Sequence, residues 1–227
     1  MAKFSHDFRL PNESAAYRAA REVLLQEEAK LRAQCERVAA MRRALPSGGA
    51  PTVDYVFTEP AGEAERSVRL SELFAPGKDS LIAYNFMYGP RQATPCPMCS
   101  SFLDGVNGQA SHLTQRVNLV VIARSPAARL EAWRRERGWQ HLRLLSSAGN
   151  TYNADYGAED AEGNQWPMLH VWRRLEGKVR HFWGSELLHV PSDAHPRHLD
   201  QLWPLWQFLD LTPDGRGDDW MPQLWYG

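Results

Sequence analysis

Long apolar runs are missing from this chain of 227 residues. The clearest one, residues 117–123, falls far short of the ~20 residues a helix needs to cross a bilayer, which disfavours a membrane protein. An excess of one charge is missing too. Lys+Arg 26 against Asp+Glu 27 leaves a net charge of −1, with no broad attraction to nucleic-acid phosphates or anionic lipid. Cysteine is scarce: Cys35, Cys96 and Cys99 are the whole complement. An odd, low count without the apolar core of a signal peptide in residues 1–10 disfavours a disulfide-stapled secreted module, and a reducing, cytoplasmic compartment is expected. Neither a G-x-G-x-x-G nor a Walker pattern occurs, so no nucleotide or flavin cofactor is implied.

What remains is a hydrophobic share of 43%, enough for one well-packed domain with an appendage. Residues 14–45 read as one long helix capped by Asn12 or Ser14. Tyr17, Leu24, Leu31, Val38 and Leu45 recur every seven residues along it. This narrow seam either packs along its own domain or serves as a dimer arm. Pro46-Ser47-Gly48-Gly49 ends the helix and starts a linker. The expected organisation is a helical extension and linker over 1–50, an α/β domain over 51–212, and a tail over 213–227.

Within that domain, extended segments are expected at 53–57 and 67–70, a helical turn at 71–74 and a central strand at 80–87. A helix over 97–115, a strand at 117–123 and a helix capped by Ser125 with Pro126 at its first position follow. Further strands are expected at 141–147, 167–172 and 178–183, the last two joined by a turn at 175–177, and a closing helix at 195–210. Strands alternating with helices require parallel crossovers, hence an open sheet with helices on both faces. Residues 147–156 read as a polar loop near the crevice. Trp203, Trp206, Trp220 and Trp225 read as packing for the last helix and tail, or as a subunit interface.

The chemistry centres on Cys96-Pro97-Met98-Cys99, which lies past a strand's carboxyl end and at the start of a helix, where open α/β sheets place their sites. Cys96 at the helix N-cap faces unpaired backbone N–H groups and the positive end of the dipole, both of which favour thiolate. Pro97 supports the tip, because its missing N–H costs nothing in the first turn. Cys99, three residues on, shares that helix face. A C-x-x-C can also be half a zinc site. The histidines from His112 to His198 show no paired spacing beside a second cysteine pair, and His195 and His198 stand only three apart, so no metal is expected. Cys35 reads as an inert residue of the long helix.

Strand, loop, C-P-x-C and helix resemble the opening of a thioredoxin fold. Trp166-Pro167-Met168-Leu169-His170-Val171-Trp172, followed by Glu176-Gly177-Lys178-Val179, resembles the cis-proline, strand, turn and strand of thioredoxins. Residues 67–74 resemble the approach to the central strand in peroxiredoxin-like proteins. The whole pattern, including Tyr84–Gly89, Cys96–Phe102, residues 146–150 and 209–212, is similar to the bacterial thioredoxin-like family catalogued as domain of unknown function 899.

That resemblance implies a thioredoxin-like α/β fold, a central mixed sheet flanked by helices, with an added N-terminal helix. It makes Pro167 the cis-proline candidate and Trp166–Pro167 the segment that docks substrate. Two departures stand out. Thioredoxins carry an Asp in the strand below the cysteines, and Ala83 stands where that carboxylate belongs. Peroxiredoxins carry Thr or Ser three residues before the attacking cysteine, and position 93 is Ala, with Thr94 one residue out of register.

The expected activity is thiol–disulfide exchange, with Cys96 attacking and Cys99 resolving, on a disulfide-bearing protein or small disulfide, with electrons from a separate donor. A homodimer is expected, without nucleic acid or membrane. The alternatives are a peroxiredoxin-like peroxidase and a redox-inactive binding scaffold.

Overall fold

A computed structural model describes residues 7–62, 64–193 and 195–226. Residues 1–6, on which much of the leader argument rests, lie outside the described residues. Contacts divide the chain into two units, Met1–Pro46 and Ser47–Gly227. The first is built on α1 (Ala15–Arg43), 29 residues long. Ser14, not Asn12, is its cap: the Ser14 side chain accepts the Tyr17 N–H at 3.0 Å, satisfying one of the orphan donors of the first turn. Tyr17, Leu24 and Leu31 of the heptad seam are exposed. No helix among the described residues is long and apolar enough to cross a membrane.

The second unit holds a seven-stranded mixed sheet. Its strands are β1 (Val56–Ala61), β2 (Ala64–Arg69), β3 (Ser80–Asn85), β4 (Asn118–Ala123), β5 (Leu144–Ser146), β6 (Leu169–Leu175) and β7 (Lys178–Gly184), in the spatial order β2-β1-β5-β4-β3-β6-β7. β3, β4 and β5 are parallel neighbours. They are joined by α2 (Pro97–Leu113) and α3 (Ala127–Glu136), the crossovers that parallel pairing requires. Hairpins of antiparallel strands extend the sheet on both sides. The β6–β7 turn places Glu176 and Gly177 at φ 49° and 74°, the paired left-handed residues of a two-residue hairpin loop.

The pleat sorts the core into two layers. Leu119, Val121 and Ala123 of β4 join Phe102 and Leu103 of α2 and Leu130 and Trp133 of α3. Val120 and Ile122 join Tyr55, Phe57, Leu73, Tyr152 and Trp172 on the other side. Helices α2 and α3 therefore cover one face. The other is covered by a 3-10 turn at Leu70–Leu73 and the single-turn α4 (Tyr152–Asp155), so the expectation of helices on both faces holds only in this reduced form.

The closing helix is also shorter than expected. A 3-10 turn at Asp200–Leu202 precedes α5 (Pro204–Leu209). Pro204 offers no N–H and disfavours helical backbone before it, and Trp203 is accordingly extended at φ −115°, ψ 93°. At α3, Ser125 is not the cap. Pro126 takes that position, and Ser125 is buried with its N–H on the Tyr88 carbonyl at 2.9 Å.

Candidate active site

Strand β3 delivers the chain to the site. Alternation sends Tyr84 and Phe86 into the layer under α2 and Ala83 into the opposite one. The following loop is then held at several points. Phe86 N–H continues the ladder to the Ile122 carbonyl at 2.8 Å, Ser125 N–H grips Tyr88, and Cys96 N–H returns to the Met87 carbonyl at 3.1 Å. Arg129 of α3 stacks its guanidinium over the Tyr88 ring at 4.3 Å. It also donates to the carbonyls of Gly89, Gln92 and Ala93. The loop between β3 and α2 is thus cross-tied before it reaches the cysteines.

Cys96 is the N-cap of α2, with extended backbone at φ −60°, ψ 125°, and Pro97 is the first helical residue. Ser100 N–H donates to the Cys96 carbonyl at 3.0 Å, and the buried Ser100 hydroxyl donates to the same oxygen at 3.1 Å, fixing the tip. The Cys96 sulfur, half-buried, lies beside three donors, the Cys99 thiol and the backbone N–H groups of Met98 and Cys99, although neither N–H closes onto it as a formed cap hydrogen bond. These donors outweigh burial and bring its pKa down to about 6. Cys99 is 2% exposed. Burial, then the hydrogen bond to and charge of Cys96, push its thiol well above the ordinary value. Both cysteines are free thiols. One sulfur is poised as an anion and the other keeps the proton.

Strand β6 passes beside this site. Met168 accepts the Asn85 N–H at 2.7 Å through its carbonyl, placing residues 166–168 next to the end of β3. Trp166 is 42% exposed, and its indole N–H donates to Asp160 at 3.3 Å. The Trp166–Pro167 peptide is trans, and no cis peptide bond occurs among the described residues, which corrects the cis-proline expectation. The bend is made differently: Met168 N–H closes onto the Trp166 carbonyl at 3.1 Å, a three-residue turn centred on Pro167, whose fixed φ suits it. His198 donates through Nε2 to the Pro167 carbonyl at 2.8 Å.

Two of the histidines weighed as zinc partners pair with each other on the opposite face. Nδ1 of His170 lies 3.0 Å from Nε2 of His181, and Nε2 of His170 lies 3.0 Å from the Tyr156 carbonyl. A carbonyl only accepts, so His170 carries its proton on Nε2 and accepts from His181. Among the described residues no group of three or more His, Cys, Asp or Glu side chains could hold a metal ion.

The sequence did not single out Arg129, and it did not assign Ser125 or Tyr84 to the site. Strand alternation was the available signal for Tyr84: counting from Phe86 back along β3 selects Tyr84, not Ala83, as the residue facing α2.

A profile of bacterial proteins of unknown function, domain of unknown function 899, matches residues 9–227. The chain belongs to this family. Among curated proteins no sequence matches it. Among solved structures, the chain is similar to the peroxidoxin BcpB of Mycobacterium tuberculosis, at 16% identity and a TM-score of 0.50, covering 70% of this chain and 95% of that one. It is also similar to the PrxQ C47S mutant of Xylella fastidiosa, at 10% identity and a TM-score of 0.49, covering 72% and 96%. At such identities the first likeness speaks for the fold, which is thioredoxin-like, as in peroxiredoxins.

Proposed function

We propose that this family member is a thiol–disulfide oxidoreductase whose redox pair is Cys96 and Cys99. The observation that carries the reading is the Cys96 sulfur at the N-cap of α2, beside the Cys99 thiol and the helix's first backbone N–H groups, an environment that brings its pKa down to about 6. Such a sulfur is largely thiolate at neutral pH while retaining nucleophilicity. It attacks one sulfur of a substrate disulfide, forming a mixed disulfide and releasing the first substrate thiolate. Cys99, as thiolate, then attacks the Cys96 sulfur. The Cys96–Cys99 bond forms, the Cys96–substrate bond breaks, and the second substrate thiolate leaves. The substrate gains two electrons and the pair loses two, which a separate thiol donor restores.

Trp166 and Pro167 form the docking edge, and the substrate is a disulfide-bearing protein or a small disulfide. A reducing cytoplasmic setting and a homodimer built on the exposed seam of α1 belong to the same proposal. A peroxidase has less support at this site, because Ala93 has no hydroxyl to offer and its carbonyl is engaged by Arg129 at 2.8 Å.

Alkylation by iodoacetamide, followed against pH in a Cys35→Ser background, tests the reading. The expected midpoint is near 6, and Cys96→Ser should bring insulin disulfide reduction down to background. A midpoint of ~8.5, that of an ordinary cysteine, together with no disulfide reduction, would leave only the scaffold. Peroxide consumption that survives Cys99→Ser with an added thiol would transfer the assignment to a peroxidase.

A further inference from the structure

The resolving step sets a physical problem that the attacking step does not. Cys99 is almost completely buried, and a buried thiol resists ionisation. In the layer under α2, β3 and the residue that follows it present Ile82, Tyr84 and Phe86, none of them a carboxylate. Tyr84 is 3% exposed. Its ring packs against Phe102 of α2 with centroids 4.8 Å apart, in the same buried cluster as Cys99, and its hydroxyl lies beside the Cys99 sulfur.

The partners of Cys99 change as the reaction advances. In the reduced pair, the Cys99 thiol donates to the Cys96 sulfur, and the negative charge on Cys96 further holds the proton on Cys99. Once Cys96 is bound in a mixed disulfide, that charge is gone and its sulfur is a poor acceptor. Two donors remain beside the Cys99 sulfur, the Tyr84 hydroxyl and the Met87 backbone N–H, and both favour the thiolate. A backbone N–H can only donate. Burial holds the phenol's own proton in place, well above the ordinary tyrosine range, so Tyr84 remains a donor at neutral pH.

We propose that the Tyr84 hydroxyl is a catalytic group of the resolving step, donating a hydrogen bond to the Cys99 thiolate as it attacks the mixed disulfide. This rests on the oxidoreductase reading above and deepens it. The Cys99 proton leaves with the departing substrate thiolate or to water, and Tyr84 keeps its own. The substrate thus removes the influences that hold the resolving proton, and the hydroxyl stabilises the anion that follows.

Dithiobis(nitrobenzoate), a small aromatic disulfide, separates the two steps in the full chain with Cys35→Ser. Attack by Cys96 releases one coloured thiolate, and resolution by Cys99 releases the second. Tyr84→Phe keeps the ring against Phe102 and removes only the hydroxyl. A hydrogen bond to a charged group is lost, so the second phase should slow by ~tenfold or more, with its pH midpoint moved upward. The first phase should keep its rate and its midpoint, which also reports an intact helix tip. A second phase with parental rate and midpoint, or both phases slowed alike, would overturn the role of Tyr84 and leave the oxidoreductase standing. Release of only one thiolate by the parent would instead overturn the oxidoreductase reading itself, and this inference with it.

Discussion

The sheet separates two touching pairs of titratable side chains. Under α2, Cys99 donates its proton to Cys96. On the opposite face, His181 donates to His170. Both pairs are largely buried, and in each one member holds the shared proton, yet their environments favour opposite charge states. The Cys96 sulfur sits where the first N–H groups of a helix lack partners, so negative charge is welcome. The histidines sit among Tyr152, Tyr156 and Trp172, with the Tyr156 carbonyl as an acceptor for one proton. Burial, reinforced by the neighbouring ring, pushes His170 down to about 3, and burial lowers His181 as well. A buried pair becomes reactive when donors without other partners aim at it, and becomes structural when every proton is already placed.

The largest effect that would break this contrast is on stability in acid. His170 titrates near 6.5 when unfolded and near 3 when folded, so between these values the unfolded chain binds the extra proton. Its contribution is complete above about pH 6.5 and is lost as pH falls towards 3, with a limiting slope of about 1.4 kcal/mol per pH unit for one proton. His181 and His198 are shifted in the same direction and steepen the fall. Chemical denaturation from pH 7 to 4.5 should show a smaller loss for His170→Phe than for the parent, because carboxylate contributions cancel in the difference. Equal losses would mean that the pair tolerates charge after all.

A smaller effect of the same sign belongs to the cysteines, in a different pH window. Cys96 ionises near 6 when folded and near 9 when unfolded. The reduced chain should therefore gain stability as pH rises from about 6 to about 9, and lose that gain as pH falls back through 6. Solvent screening at the half-buried sulfur narrows the shift, and with it the pH window and the total gain. Cys96→Ser should flatten this part of the profile. A slope retained in the serine variant would place the source elsewhere and weaken the case for a stabilised thiolate.

How visible each pair was in the sequence follows from the same contrast. Cys96-Pro97-Met98-Cys99 depends on contacts within four residues and one helix start, and local pattern suffices for both. The order of β3, α2, β4 and α3 was equally legible, since apolar runs and Pro or Gly punctuation mark it. The histidine pair depends on a register. A bulge at Val171/Trp172 shifts the β6–β7 ladder so that His170 faces Gly184. A Cβ there would lie 3.3 Å from His170 Nδ1, so the absence of a side chain makes room for the ring. No alternation pattern reveals an inserted residue. The trans geometry at Pro167 was hidden for a related reason, because a turn closed by one backbone hydrogen bond leaves no side-chain signature. Tyr84 was legible in principle, through the parity of β3, and was passed over for its neighbour.

The smallest effect concerns the segment that runs between the two pairs. Residues 166–170 lead from the proposed docking edge to His170, and the Met168 carbonyl ties them to the end of β3. If Trp166 docks protein substrates, its exposed indole should matter for large disulfides and not for small ones. Its backbone is held independently, through N–H donation to the Ala158 carbonyl at 2.8 Å, so Trp166→Ala removes contact area without releasing the chain. Truncating a single exposed aromatic contact of about 1 kcal/mol corresponds to roughly a fivefold fall in kcat/KM for insulin, carried mainly by KM. Both phases with dithiobis(nitrobenzoate) should be unchanged, because that molecule is too small to need the edge. A loss of equal size with both substrates would show that Trp166 acts on the cysteine tip itself, and no loss with either would move protein docking to another edge of the site.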